Sequence, residues 1–455
     1  MANTPNLPRK SVLKTWARWR SILGHTSPPK LLLFGYLSYM LVGWALLSLP
    51  FAQEVPTSGI DTLFIATSAV STTGLVTVDP GTTFTFFGEL VIILLIQMGG
   101  LGYMTIGSFV ALHLADRFDR LRRDATRTAF NLPEDIDPAS FVRAVVFFTL
   151  ACEAIGAVVL WALFNAQGVE NAVWSAIFHS ISAFATAGFS LNSNSFEGFA
   201  DQPGVVITIS ILSLLGAMGF LIFVDFFRNM TGRARYLGFT SKVIWRTTLG
   251  FLIVGTAILF VVEPTYQAMA PEDRLMASFF QVMTASTTVG FNTTPIGDLA
   301  PAIIVVLFFL MIVGASPAGT GGGLKTTSFA ALVGLVRSTL KGRDKIRYIK
   351  REIPLERLQT ATASLAYYAG LLFVAVFLLL LADPGLPFDK VMFEAISAMG
   401  TVGLSMGITG DLTGLGKLIV IVLMTAGRVG ILTFGMALAS HDESRAEEAD
   451  NELIV

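Results

Sequence analysis

The sequence predicts an all-α integral membrane protein with eight transmembrane spans, arranged as four repeats of span, half-helix and span. Three observations predict it. The 455-residue chain is 53% hydrophobic and only 14% charged, against a charged share of roughly 25% in soluble domains. Eight apolar stretches, at about 31–52, 85–114, 140–165, 204–227, 243–263, 300–337 (interrupted), 359–382 and 414–440, approach or exceed the roughly 20 residues that cross a bilayer as a helix. A short glycine motif returns four times between them. The composition excludes a disulfide scaffold, a nucleic-acid binder and a disordered chain. The single cysteine, Cys152, permits neither an intrachain disulfide nor a multi-cysteine metal site.

Taken in order, a basic arm (1–30) carries Arg9, Lys10, Lys14, Arg18, Arg20 and Lys30. The stretch 31–52 is longer than the h-region of a cleaved signal, so it is expected to be retained as a span. Repeat 1 covers 31–127, repeat 2 covers 128–235, repeat 3 covers 236–350 and repeat 4 covers 351–440, before an acidic tail (441–455). The net charge of -1 conceals a division. All but five of the 31 lysines and arginines lie in the arm, in loops 116–127, 228–246 and 337–357, or at Arg143 and Arg445. Arg274, Lys390 and Lys417 fall on the opposite side, and Lys325 and Arg428 fall inside apolar stretches. The positive-inside rule then makes both termini cytoplasmic in a cell (inner) membrane, as an even number of spans requires. The basic loops serve as topology determinants and solvated faces in preference to lipid headgroup sites.

Each outer connection holds a moderately apolar segment of 10 to 14 residues, too short to span, that ends in a glycine turn. The turns are Ser71-Thr72-Thr73-Gly74-Leu75, Ala185-Thr186-Ala187-Gly188-Phe189, Thr287-Thr288-Val289-Gly290-Phe291 and Gly400-Thr401-Val402-Gly403-Leu404. All fit Thr-x-Gly followed by Leu or Phe, and the glycines are 114, 102 and 113 residues apart. One such turn is an ordinary helix stop; four at near-equal spacing mark an internal repeat. Non-helical backbone at membrane depth must be buried in protein or reached by water, which predicts that the turns converge on one central pore. A half-helix entering from outside points its unpaired carbonyls and partial negative charge at the membrane centre, where they favour a cation. Rings of backbone carbonyls can replace the hydration shell of a permeating ion.

These residues resemble the KtrB, TrkH and HKT superfamily of potassium transporters over nearly the whole chain. The resemblance implies a selectivity filter at Gly74, Gly188, Gly290 and Gly403, flanked by Thr72, Thr186, Thr288 and Thr401, with K+ held at filter backbone carbonyls. The basic arm leads directly into the first repeat, so the KtrB branch is the nearer likeness. Gly74 stands where a serine accompanies sodium selectivity in plant members, which favours potassium. The likeness also implies a homodimer on a cytoplasmic KtrA-type RCK ring, with ATP or ADP acting only through that partner, no covalent cofactor, and K+, with Na+ as a further candidate, as the transported ion.

Span 300–337 is interrupted by Gly314, Gly319, Gly321, Gly322, Gly323 and Pro317, residues that disfavour a continuous helix. The resemblance implies an intramembrane gating loop at about 314–327. Lys325 in it either repels a permeating ion or snorkels towards the cytoplasm. The segment Gly319–Thr326 is not a phosphate-binding loop, because Leu324 separates glycine from Lys325. Arg428, within the last stretch, is a functional candidate by its cost in a membrane, as an electrostatic barrier, a holder of the loop, or a structural arginine tied to carbonyls. Glu153 and Asp225 are expected to pack helices. His25, His113, His179 and His441 are scattered and form no metal site. A second reading, a secondary transporter of another monovalent cation such as Na+ or of a small solute, fits paired broken helices better than fourfold turns. No nucleophile and base cluster for an enzyme is visible.

Overall fold

The computed structural model describes residues 28–102, 137–230, 238–349 and 351–438. Most of the basic arm, loop 116–127, part of loop 228–246 and the acidic tail lie outside the described residues.

The first unit is α1 (Pro28–Leu47), the half-helix α2 (Gly59–Ser71) and α3 (Phe86–Leu101). The second is α4 (Pro138–Ala166), α5 (Ala172–Phe184), α6 (Pro203–Ala217) and α7 (Phe220–Met230). The third is α8 (Phe239–Val262), α9 (Pro271–Thr287), α10 (Pro301–Ile312) and α11 (Thr326–Thr339). The fourth is α12 (Leu355–Ala382), α13 (Phe388–Gly400), α14 (Gly414–Val429) and α15 (Ile431–Leu438). A two-stranded hairpin, β1 (Arg347–Tyr348) and β2 (Arg351–Glu352), precedes α12.

Local chemistry sets the helix starts. Ser58 caps α2 by accepting from the Asp61 amide, and prolines at the first turns of α6, α9 and α10 need no amide partner. Acidic residues occupy the first turns of α2, α9 and α13, where the helix dipole favours them.

Packing closes the units into a circle. The helix after each half-helix packs on the half-helix of the next unit: α3 on α5, α6 on α9, α10 on α13, and α14 back on α2. The core lies within this circle, while α4, α8 and α12 form part of its outside. Those three helices are long and apolar enough to cross a membrane, with only 28% to 39% of their most apolar stretches buried. Phe373 is 75% exposed, and Ile155 and Ile253 are each 66% exposed. Such a continuous apolar exterior suits lipid and not water.

Two expected spans are not continuous. Residues 204–227 bend by 88° between α6 and α7, and 414–440 bend by 107° between α14 and α15. Each break follows a Gly-x-x-Gly pattern, Gly216/Gly219 and Gly427/Gly430, which α3 repeats at Gly99/Gly102. The second glycine takes a φ of +78° to +95° and stops the helix. The first lies so close to its own half-helix that an added Cβ would strike the carbonyl of Val70, Phe184 or Met399. The interruption expected in 300–337 is present between α10 and α11; Thr326 and Thr327, expected in the loop, already belong to α11.

Candidate functional site

The four half-helices end in one geometry. Thr72, Thr186, Thr288 and Thr401 all adopt the left-handed region, with φ of 52°, 51°, 59° and 49°, uncommon for a β-branched residue. The next residue donates its amide to a carbonyl five residues back: Thr73 to Ser68, Ala187 to Ser182, Val289 to Thr284 and Val402 to Ser397, at 2.8 to 3.1 Å. Gly74, Gly188, Gly290 and Gly403 follow with φ of 92°, 67°, 83° and 92°.

The turns meet in a closed ring. A Cβ at Gly74 would strike the Ala187 carbonyl, at Gly188 that of Val289, at Gly290 that of Val402, and at Gly403 that of Thr73. Each glycine therefore makes room for the carbonyl of the next turn, and the fourth returns to the first. The half-helix C-termini, with their partial negative charge, converge there.

A hydroxyl residue six positions before each glycine escaped the sequence reading, although its fourfold spacing is visible. Ser68 and Ser397 accept from the amides of Gly74 and Gly403 at 3.1 Å. Ser182 instead donates to the Phe189 carbonyl at 2.8 Å, and the Thr284 hydroxyl is buried without a partner.

On one side of the ring a cavity of about 710 Å³ reaches all four glycines. Asp79, Glu197 and Asp298 line it against the single ammonium of Lys390, an excess that draws cations inward. On the other side the segment 313–325 lies across the ring. Thr320 meets the hydroxyl of Thr186 at 2.9 Å and receives that of Thr72 on its carbonyl at 3.4 Å. Gly321 lies against Thr288, and Gly322 against Thr401, with no space for a side chain at either. Thr320, Gly321 and Gly322 thus cover all four threonines.

The segment is held from three directions. Ser316 and Thr320 donate amides to the carbonyls of Ala217 and Gly216, and Phe220 donates to the Ala318 carbonyl, at 3.0 to 3.2 Å. The break between α6 and α7 supplies these partners. Gly319 fits against Ala217, while Gly314 and Gly323 pack on one another at the segment's ends. Lys325 donates from Nζ to the Gly321 carbonyl at 2.6 Å. Arg428 donates from Nη1 to Thr72 Oγ1 and to the Thr320 carbonyl, and from Nη2 to the carbonyls of Gly99 and Gly100. Among the described residues neither cation pairs with a carboxylate; backbone oxygens solvate both.

The remaining candidates lie apart from this axis. Glu153 accepts from Gln97 at 3.0 Å and joins α4 to α3. Asp225 accepts from the Gly238 amide and the Ser241 hydroxyl, joining α7 to α8. His179 is buried behind the second turn. Of loop 337–357, the hairpin pairs Arg347 with Glu352 and Tyr348 with Arg351, away from the ring.

Comparison with known proteins agrees with this architecture. The family TrkH, described as cation transport protein, matches residues 44–448. The Ktr system potassium uptake protein B of Bacillus subtilis is 33% identical over 98% of this chain and 99% of its own length. A protein of the same description from Vibrio alginolyticus is 34% identical over 90% of this chain and 91% of its own. The crystal structure of the potassium transporter TrkH from Vibrio parahaemolyticus superposes with a TM-score of 0.69 at 21% identity, covering 89% of this chain and 84% of that one, which establishes the shared fold. With the match running through all four half-helices, the chain belongs to the TrkH family of membrane cation transport proteins.

Proposed function

We propose that the chain is the potassium-translocating subunit of a potassium uptake system, with the four-glycine ring as its selectivity filter and segment 313–325 as its gate. The closed ring of Gly74, Gly188, Gly290 and Gly403, backed by four helix C-termini, carries this reading. In it α1, α3, α4, α6–α7, α8, α10–α11, α12 and α14–α15 are eight spans, and α2, α5, α9 and α13 are pore helices. The basic side is cytoplasmic.

A cation gathers in the acidic cavity and loses water to the backbone carbonyls of the turns. The threonine hydroxyls come next; those of Thr288 and Thr401 are buried without a partner and are free to face a passing K+. Thr320, Gly321 and Gly322 close the way beyond. Arg428 ties Thr320 to Thr72, and Lys325 ties Gly321 to the base of the segment. Opening requires the segment to leave the ring and these bonds to break together. A homodimer seated on a cytoplasmic nucleotide-binding RCK ring supplies the work, with ATP or ADP acting on the partner and Na+ modulating flux.

The test is potassium uptake in cells lacking their own systems, with and without a KtrA-type partner, at several Na+ concentrations. Potassium-dependent growth and rubidium influx support the reading; their absence in every combination overturns it.

A further inference from the structure

Nine residues before each ring glycine stand Ile65, His179, Gln281 and Glu394, all 0% exposed. They occupy equivalent places on the four half-helices, yet they differ in chemistry. His179 Nδ1 faces the Ser175 carbonyl at 2.8 Å and so carries the ring proton. Its Nε2 then accepts from the Ser190 hydroxyl at 2.9 Å and from the Leu191 amide at 3.3 Å. Glu394 accepts from the Ser405 hydroxyl at 2.7 Å on one oxygen and from Thr409 at 2.5 Å on the other. Ser190 and Ser405 each lie two residues beyond their ring glycine. Each in turn accepts a backbone amide of the loop that follows its turn, from Asn192 at 2.9 Å and from Gly407 at 3.0 Å.

The other two turns have no such connection. Ile65 and Val76 are apolar. Both amide atoms of the Gln281 side chain are buried without a partner, while Asn292, two residues beyond Gly290, turns away to donate to Glu197 at 2.8 Å. Since the ring runs 1-2-3-4, the braced turns are diagonal to one another.

We propose that His179 and Glu394 are positioning residues that hold the second and fourth filter turns from behind, through Ser190 and Ser405, and thereby set how well the ring discriminates K+ from the smaller Na+. This rests on the filter reading above. A brace behind a carbonyl ring keeps the turn from collapsing onto a smaller ion, and a buried hydrogen bond is costly to lose because its partner stays unsatisfied.

The experiment compares Glu394→Ala, Glu394→Gln, Ser405→Ala and Ser190→Ala with the unsubstituted chain. Rubidium uptake is measured against competing Na+, at membrane protein levels matched by quantitative blot. Ser405→Ala and Ser190→Ala leave the half-helices intact and keep the test informative should Glu394→Ala fail to accumulate. Glu394→Ala, Ser405→Ala and Ser190→Ala should lower discrimination about 3- to 10-fold, the range one buried hydrogen bond commands. Glu394→Gln, which retains a carbonyl acceptor, should stay within about twofold. A structural role alone lowers the amount of protein or the maximal flux and leaves discrimination unmoved. Serine variants at normal levels with unchanged discrimination overturn the proposal while the filter reading stands. No uptake by the unsubstituted chain overturns both.

Discussion

The guanidinium of Arg428 donates to the hydroxyl of Thr72 at 2.9 Å, across 356 residues of sequence. The same nitrogen holds the Thr320 carbonyl, so one side chain spans the first glycine turn and the segment that lies across the ring.

Removing Arg428 should therefore release the segment. Arg428→Ala is expected to reach the membrane at normal levels and to raise partner-independent potassium flux by at least about tenfold, since charge-assisted bonds to several carbonyls are lost at once. Arg428→Lys should not restore closure, because an ammonium cannot reproduce the guanidinium fork. Flux assays in vesicles without a partner, beside a fluorescence size-exclusion profile, check this. A misfolded Arg428→Ala protein would make the arginine structural.

Serine at Gly290 or Gly74 should damage selectivity. Both glycines have φ above +80° and lack space for a Cβ, which would strike the carbonyl of Val402 or Ala187. The backbone strain alone is about 1–2 kcal/mol. A fall of about tenfold in apparent potassium affinity is expected for each, read from rubidium uptake against concentration. Unchanged affinity and selectivity would remove these glycines from the filter.

Side chains added to the segment should act in the opposite sense. A Cβ at Gly321 would strike Thr288 Oγ1, and one at Gly322 would strike Thr401 Oγ1. Gly321→Ala and Gly322→Ala are expected to lift the segment from the ring and raise basal flux while leaving ion preference unaltered. Rubidium efflux from preloaded cells measures this, and reduced efflux would show that these glycines are needed for opening.

The ion pair of Asp61 with Lys417 gives a pH prediction. Burial alone pushes the Asp61 carboxyl up, but hydrogen bonds from Lys417 and Ser58 and the charge of Lys417 outweigh it and hold the group below its ordinary value. A carboxyl lowered by folding adds stability above its unfolded pKa near about 4, and that stability is lost as pH falls through the lower folded value. Asp61→Asn should cost about 1 kcal/mol or less at neutral pH, and the difference should vanish in strong acid. Thermal unfolding in detergent at several pH values tests it.

The four glycine turns were legible because each combines a threonine, a glycine and a short apolar segment at fixed spacing. The breaks at Gly219 and Gly430 were not, because apolar residues continue on both sides and glycine is tolerated in membrane helices. The break between α6 and α7 is held by backbone hydrogen bonding to Ser316, Ala318 and Thr320, about a hundred residues away in sequence. The contact between Arg428 and Thr72 is likewise set by the circular packing of the first and fourth units. The hydroxyls at Ser68, Ser182, Thr284 and Ser397 did leave a periodic trace, hidden among many other serines and threonines.

Because every ring glycine yields space to its neighbour's carbonyl, the four turns behave as a hoop. None can widen or carry bulk without displacing the next, and the displacement travels round to its origin. Tolerance to change is thus a property of the circle and not of any one position. A quarter transplanted alone from a relative meets mismatched neighbours on both flanks, whereas all four transplanted together keep their fit.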